Sequence, residues 1–322
     1  MRAWCIANQQ LHLQQRPRPD IGPQDLLVKV SAIGINRADI LQTRGLYPAP
    51  AGTVQEIPGL EYSGTVVATG AQVQQYKVGD KVMGLVPGGS YAEYICTHEE
   101  EALTIPDGIS MVEAATIPEA FLTAYRAMYM EAGLAHGEWC LVRPATSGVG
   151  LAAVQLCNAL GNPVIGSSRS KERLDTAFEL GLTHGVEENH TLADQLLALT
   201  NNQGVSVIFD MVGPEWDKLL PGLALEGRLV VIGVLGGMST SINLMPFLQK
   251  RQRISALTMR SQPMQERLRM ARYFNERLMP FFQRRVLTPL PHEVFDFTEL
   301  PEAHEHMQSH HFSGKRVVQI SS

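Results

Sequence analysis

In Trp139–Ala153, WCLVRPATSGVGLAA, an apolar run, a turn of small residues and an apolar helix follow one another without a break. Trp139-Cys140-Leu141-Val142 has the length and character of a buried strand. Arg143 to Ser147 turns the chain, and Val149 to Leu156 continues it as a helix. Strand, small-residue turn and helix make up the phosphate-cradling unit of a dinucleotide fold. The spacing Gly148-x-Gly150-x-x-Ala153 fits its G-x-G-x-x-G/A fingerprint. Small residues there let backbone N–H groups approach a pyrophosphate, and the helix N-terminus adds a positive partial charge. Glycine-rich turns before helices also serve packing alone, so the motif by itself leaves both readings open.

The next segment favours the cofactor. Pro163-Val164-Ile165-Gly166-Ser167 reads as a second strand after one helix, which completes a βαβ unit of about 30 residues. The end of this strand selects the ribose: an acid takes the 2′-hydroxyl of NAD, a base the 2′-phosphate of NADP. Here the chain reads Ser167-Ser168-Arg169-Ser170-Lys171, with no acid before Glu172. Hydroxyls and cations suit a phosphate, so NADPH is expected over NADH. Ser170 can at the same time cap a helix from Glu172 to Leu180.

The 322 residues suffice for two domains, and 44% apolar with 18% charged residues is an ordinary globular composition. A net charge of -5 argues against a general nucleic-acid binder. Cys5, Cys96, Cys140 and Cys157 are scattered without a C-x-x-C pair, so neither a zinc ribbon nor a disulfide framework is expected. Cys140, in its apolar strand, is read as a small buried hydrophobe. The N-terminal residues have no signal-peptide pattern, and no segment approaches the ~20 apolar residues of a membrane span. These features point to the cytoplasm.

Residues 1–117 read as β-rich, with strands at Leu26–Val30 and Gly64–Ala68 and a turn into another at Val78–Val82. Pro118 opens a helix and a second domain, residues 118–259. There Val205–Asp210 and Arg228–Gly233 add strand-length apolar runs. Near-continuous apolar strands alternating with helices indicate a doubly wound parallel sheet covered on both faces. The loops Met211–Pro214 and Val234–Gly237 then lie at the carboxyl ends, where ligands bind. Residues 260–322 hold an amphipathic helix from about Arg260 through Phe282. A closing strand, Lys315–Ile320, is assigned back to the first domain.

Four stretches carry a family resemblance: Gly34-Ile35-Asn36-Arg37-Ala38-Asp39, Pro58 to Gly64, Lys77-Val78-Gly79-Asp80-Lys81-Val82, and the Gly150 turn. With them the whole chain resembles the medium-chain dehydrogenase/reductase superfamily. Arg44-Gly45-Leu46-Tyr47-Pro48 and Ile117 to Ala124 are similar to its quinone oxidoreductases. The resemblance implies an α/β protein: a GroES-like β-barrel catalytic domain holding both chain ends, and a Rossmann domain between them. The superfamily's alcohol dehydrogenases hold catalytic zinc through a Cys and a His in these motifs. Here Asn36 stands at the Cys position, and Leu60-Glu61 at the triplet that carries the His. An amide and a leucine are poor zinc ligands. The four-cysteine lobe for structural zinc is also missing, since Pro87 to Ser90 runs directly into Tyr91. A zinc-independent enzyme is expected. His304, His306, His310 and His311 are read as solvated rather than as a metal site.

A quinone or conjugated enone needs no Lewis acid, because it delocalises the incoming charge. The protein need only bind NADPH and donate hydrogen bonds to the acceptor oxygen. The resemblance places Tyr47 in the active site as first donor, with stacking on its neighbouring prolines as the alternative. Asn36 is expected near the nicotinamide. Tyr62 is a weaker candidate that packing explains as well. On the cofactor side, Ser147, Gly148, Val149 and Gly150 would meet the pyrophosphate, and Ser168, Arg169 and Lys171 the 2′-phosphate. Thr123, Gly213, Gly236 and Lys315 carry over as further contacts. One departure stands out: related enzymes often have a tyrosine beside the 2′-phosphate where this chain reads Gly185-Val186-Glu187-Glu188-Asn189. Acids turned inward there would repel a phosphate.

The leading reading is an NADPH-dependent quinone reductase, and the enzymatic alternative an enone, alkenal or enoyl-thioester reductase. A non-enzymatic class, a nucleotide-binding structural or RNA-binding protein, is disfavoured by the acidic balance. Arg253–Thr258 reads as an edge strand, and the superfamily commonly pairs such edges, so a homodimer is expected.

Overall fold

The computed structural model of the protein describes residues 1–309 and 312–321. Contacts divide it into two units, Met1–Glu119 with Met259–Ser322, and Ala120–Thr258. The strands in chain order are β1 (Arg2–Ala7), β2 (Gln10–Gln15), β3 (Asp25–Ile35), β4 (Glu61–Thr69), β5 (Lys81–Leu85), β6 (Tyr94–His98) and β7 (Ala102–Thr104). The second unit contributes β8 (Cys140–Arg143), β9 (Val164–Ser168), β10 (His184–Glu187), β11 (Val205–Asp210), β12 (Leu223–Val231) and β13 (Arg253–Ala256). Then β14 (His292–Asp296) and β15 (Lys315–Gln319) follow. The helices that matter below are α1 (Arg37–Thr43), α2 (Met111–Ala114), α3 (Pro118–Tyr125) and α4 (Gly148–Ala159).

In the first unit β14, β15, β3, β4, β5 and β7 follow one another across a sheet, β6 pairs with β3, and β1–β2 form a separate hairpin. Strand β3 begins by alternating, with Leu26, Val28 and Val30 buried, and ends continuously buried from Ala32 to Ile35. That change of pattern marks where one face covers the barrel core and where both faces become covered. The core gathers Trp4, Val28, Tyr62, Val82, Tyr91 and Phe297. The closing strand β15 runs antiparallel to β3, with Val317 opposite Gly34, and parallel to β14. This pairing brings Lys315 to the level of the Gly34–Asn36 motif, about 280 residues away in sequence.

The second unit is one parallel sheet in the order β10-β9-β8-β11-β12-β13. Numbered within the unit this is 3-2-1-4-5-6, the doubly wound dinucleotide-binding order, whose reversal leaves a crevice at the carboxyl end of its first strand, β8. The inner strands β8 and β9 are fully buried, as expected where helices cover both faces. Cys140 is fully buried, and all four cysteines are free thiols. Among the described residues no helix is long and apolar enough to cross a membrane.

Two helices differ from expectation. Glu172–Leu180 is not one helix: a 3₁₀ turn at Lys171–Leu174 precedes a short α-helix at Asp175–Glu179, and the Ser170 side chain makes no capping bond. Only Leu174 and Ala177 of these two pieces are buried, too few anchors for a longer amphipathic face. The helix expected from Arg260 starts at Met264, because Pro263 disfavours helical geometry in the residue before it. It then passes through a π-turn at Phe274–Leu278 to end at Gln283.

Candidate functional site

Most residues expected at a cofactor in the second unit lie at the carboxyl ends of its strands, after β8, β9, β11 and β12. Helix α4 opens at Gly148 with Ser147 as N-cap, its Oγ accepting from the Gly150 N–H at 3.0 Å. Of the four residues expected at the pyrophosphate, Ser147 and Gly150 thus bond each other. The N–H groups of Gly148 and Val149 lack an intrahelical acceptor and point from the positive helix end. Glycine is required at 150: a Cβ there would lie 2.3 Å from the Pro144 carbonyl oxygen. The turn itself opens on a cis Arg143–Pro144 peptide.

At the end of β9, Ser167 and Ser168 are buried, 0% and 2% exposed, with hydroxyls that have no hydrogen-bond partner. Two orphaned buried hydroxyls beside a helix N-terminus fit a ligand rich in oxygen, and a nicotinamide dinucleotide is such a ligand. Arg169 and Lys171 are exposed and form no ion pair among the described residues. Gly213, at φ +96, donates its N–H to the Asp210 carboxylate, and the Gly236 N–H bonds Val212 O at 2.8 Å. The Gly213 N–H is thus tied back to the end of its own strand, and the Gly236 N–H ties the loop after β12 to the loop after β11. Thr123 lies on α3 and is 4% exposed.

The acids after β10 behave differently from one another. Glu187 is exposed, whereas Glu188 turns inward and accepts from Arg143 Nε at 2.5 Å. Arg143 Nη1 also reaches Asp210 at 3.3 Å, with the guanidinium only 3% exposed. Asp210 accepts further bonds from Val212 N–H and Trp216 Nε1, both at 2.9 Å. Burial still holds the Asp210 carboxyl above its ordinary range, with Arg143 opposing the shift.

In the first unit an ammonium ties Asn36, at the cysteine-ligand position, to Glu61, the residue after Leu60. Lys315 Nζ donates to Asn36 Oδ1 and to Glu61 Oε2, each at 2.6 Å. Asn36 Nδ2 donates to the same Glu61 oxygen at 3.2 Å, and Glu61 Oε1 accepts the Glu119 N–H at 2.8 Å. Lys315, Asn36 and Glu61 are 4%, 5% and 0% exposed. Lys315, expected at the cofactor, is thus engaged with Asn36 and Glu61. Gly34 must lack a side chain here, since a Cβ would fall 2.2 Å from Glu61 Oε2.

Tyr47 lies on the loop after α1 and is half-buried. The guanidinium of Arg260 sits 5.6 Å from its ring centroid. Arg260 donates to Tyr47 O at 3.0 Å, to Pro87 O at 2.7 Å and to Gln42 Oε1 at 2.6 Å. It is 4% exposed, and burial lowers its pKa. All three acceptors are neutral, so a buried positive charge stands beside Tyr47. Nothing local in the sequence signals this: Arg260 is an isolated arginine in a loop.

Tyr62 is corrected to a core residue. It is 0% exposed within the barrel core, where burial raises its pKa. His304 is likewise not solvated: it is 6% exposed and its Nε2 lies 2.8 Å from the Tyr91 hydroxyl. Burial pushes its pKa down to about 4. The neighbouring Asp39, fully buried, is pushed up to about 7, again by burial, while accepting the Asn36 N–H at 2.8 Å. His306 is about half exposed; His310 and His311 lie outside the described residues.

Comparison with known proteins agrees with this architecture. Residues 22–107 match the alcohol dehydrogenase GroES-like domain, and residues 148–273 match the zinc-binding dehydrogenase family. Quinone oxidoreductase-like protein 2 of Rattus norvegicus is 37% identical over 70% of this chain, and the match spans 65% of that protein's length. Quinone oxidoreductase of Pseudomonas aeruginosa is 35% identical, over 69% of each chain. The crystal structure of CurK enoyl reductase superposes with a TM-score of 0.86 at 27% identity, over 99% of both chains. Parallel sheet, GroES-like barrel and these relatives together make the chain a member of the quinone oxidoreductase branch of the medium-chain dehydrogenase/reductase superfamily.

Proposed function

We propose that this protein is a zinc-independent, NADPH-dependent quinone reductase. The observation that carries the reading is the Lys315 ammonium, held at 2.6 Å from both Asn36, which stands where the superfamily's zinc enzymes have a cysteine ligand, and Glu61, which follows the leucine at their histidine position. A cation already placed between these residues disfavours a divalent metal beside it, and an acceptor that delocalises its own charge has no need of one. NADPH over NADH is supported by the unpaired Arg169 and Lys171 beside the orphaned Ser168 hydroxyl. The bound nicotinamide supplies the reducing electrons. Gly148 and Val149 N–H groups bind the pyrophosphate, and the Tyr47 hydroxyl donates a hydrogen bond to the acceptor oxygen as negative charge builds there.

The test is NADPH oxidation over a panel of ortho- and para-quinones, run with and without a chelator, alongside NADPH titration of Arg169→Ala. Expected are chelator-resistant turnover and roughly ten-fold weaker NADPH binding in the variant, with NADH little changed. No quinone-dependent oxidation across the panel would sink the substrate assignment. The likeness to CurK enoyl reductase favours a second reading, reduction of a conjugated carbon–carbon double bond. Mass analysis of enone products separates the two, since only that chemistry adds two hydrogens across the double bond.

The same reading includes a homodimer joined at β13. That strand is the sheet's edge, and Val234, Leu235, Met238, Leu244, Met245 and Leu248 of the preceding segment are exposed. An edge with such neighbours invites pairing. Light scattering at working concentration should give twice the chain mass, and a monomer mass refutes it.

A further inference from the structure

We infer that the Arg143–Glu188 pair is the selectivity element for the adenosine ribose, a carboxylate whose charge is cancelled so that a 2′-phosphate is admitted. The inference deepens the NADPH reading and rests on it.

The geometry comes from the sheet order. Arg143 ends β8 and Glu188 follows β10, and β9 lies between those strands. The 2.5 Å contact between them therefore bridges across β9 at its carboxyl end, the ribose-selecting position. The register agrees. Glu187 pairs with Ser168, and the Glu188 N–H donates to Ser168 O at 2.8 Å, which puts Glu188 level with Arg169. Arg143 and Ser167 each lie one residue past the paired Val142 and Gly166, so the pleat gives them the same face. The unpartnered hydroxyl of Ser167 belongs to the strand end the bridge crosses.

Charge decides what this position accepts. A carboxylate facing a ribose takes its diol and repels a 2′-phosphate. Glu188 keeps one oxygen on Arg143 and is 22% exposed, so it reaches the ligand side without carrying a full uncompensated charge. Arg143 can serve it because Asp210, its second acid, already accepts the N–H groups of Val212, Gly213 and Trp216. Arg169 and Lys171 then remain as the net positive charge of the ribose end. The acid pair that the sequence presents as an obstacle to NADPH is in this way half neutralised and half solvent-exposed at Glu187.

The test is direct binding of NADPH and NADH, and of 2′,5′-ADP against 5′-ADP, by fluorescence and calorimetric titration, with no turnover required. Glu188→Gln removes one negative charge from the ribose end while Arg143 keeps Asp210, so the preference for the 2′-phosphorylated ligand in each pair should rise about five-fold, the effect of one partly screened charge. Arg143→Met should lower the same preference about ten-fold. It also leaves two inward-facing carboxylates without a cation and can fail to fold, in which case Glu188→Gln decides alone. A wild-type protein that prefers the 2′-phosphorylated ligands, with Glu188→Gln within two-fold of it, overturns the inference and leaves the NADPH reading standing. A wild-type protein that binds NADH more tightly, or neither cofactor, overturns both.

Discussion

Lys315→Met will be the most destabilising single substitution in the Asn36 site, lowering Tm by on the order of 10 °C. The variant removes the ammonium from a carboxylate that is 0% exposed. Glu61 would keep the Glu119 N–H and the Asn36 amide, but neither carries charge. Breaking one side of a buried pair costs about 3–5 kcal/mol, and each kcal/mol moves Tm by about 2–4 °C for a unit of this size. Relaxation is blocked on one side, since Gly34 leaves no more room than the carboxylate already uses. The double variant Lys315→Met/Glu61→Gln should regain most of the loss: Gln keeps an acceptor for Glu119 and gains a donor for Asn36 Oδ1. Thermal unfolding of the three variants measures this. A Lys315→Met protein melting within 1 °C of wild type would mean that the pair is not what holds these residues together.

Tyr47→Phe should lower kcat for the acceptor about 100-fold, with KM and the NADPH Kd nearly unchanged. The estimate is that of one lost hydrogen-bond donor to a developing oxyanion. Arg260 makes the loss specific to the hydroxyl, because its bonds go to the Tyr47 carbonyl and its stacking to the ring, both of which phenylalanine retains. Arg260→Lys should show a smaller fall in kcat. A lysine cannot reach Pro87, Tyr47 and Gln42 in one planar fork, so the loop loses its fixed position while the hydroxyl remains. Steady-state kinetics with separate cofactor titrations reads both variants. Activity of Tyr47→Phe within two-fold of wild type would remove Tyr47 from the mechanism.

The sequence by itself determined the architecture. Apolar runs at Trp139–Val142, Pro163–Ser167, Val205–Asp210 and Arg228–Gly233 read as buried strands, and β8, β9, β11 and β12 overlap them, because burial in a sheet takes their side chains out of water. The small residues Gly148 and Gly150 marked the helix start for a reason visible locally, the missing Cβ. The family resemblance singled out Asn36 and Tyr47 as candidates, and the strand-end position singled out the Ser168–Lys171 segment, because these are features of contiguous chain. Tertiary structure alone decided the electrostatics. Lys315 with Glu61, Arg143 with Glu188 and Asp210, Arg260 with Tyr47, and His304 with Tyr91 are pairs separated by tens to hundreds of residues. Whether a charge is solvated, cancelled or buried depends on which partner the fold brings within about 3 Å, and no local pattern encodes that. His304 was misread on this account: read as solvated, it is buried against Tyr91, while Tyr62 is buried as its packing alternative had it. Glu188 is the converse case, an acid whose meaning changed once Arg143 was found beside it.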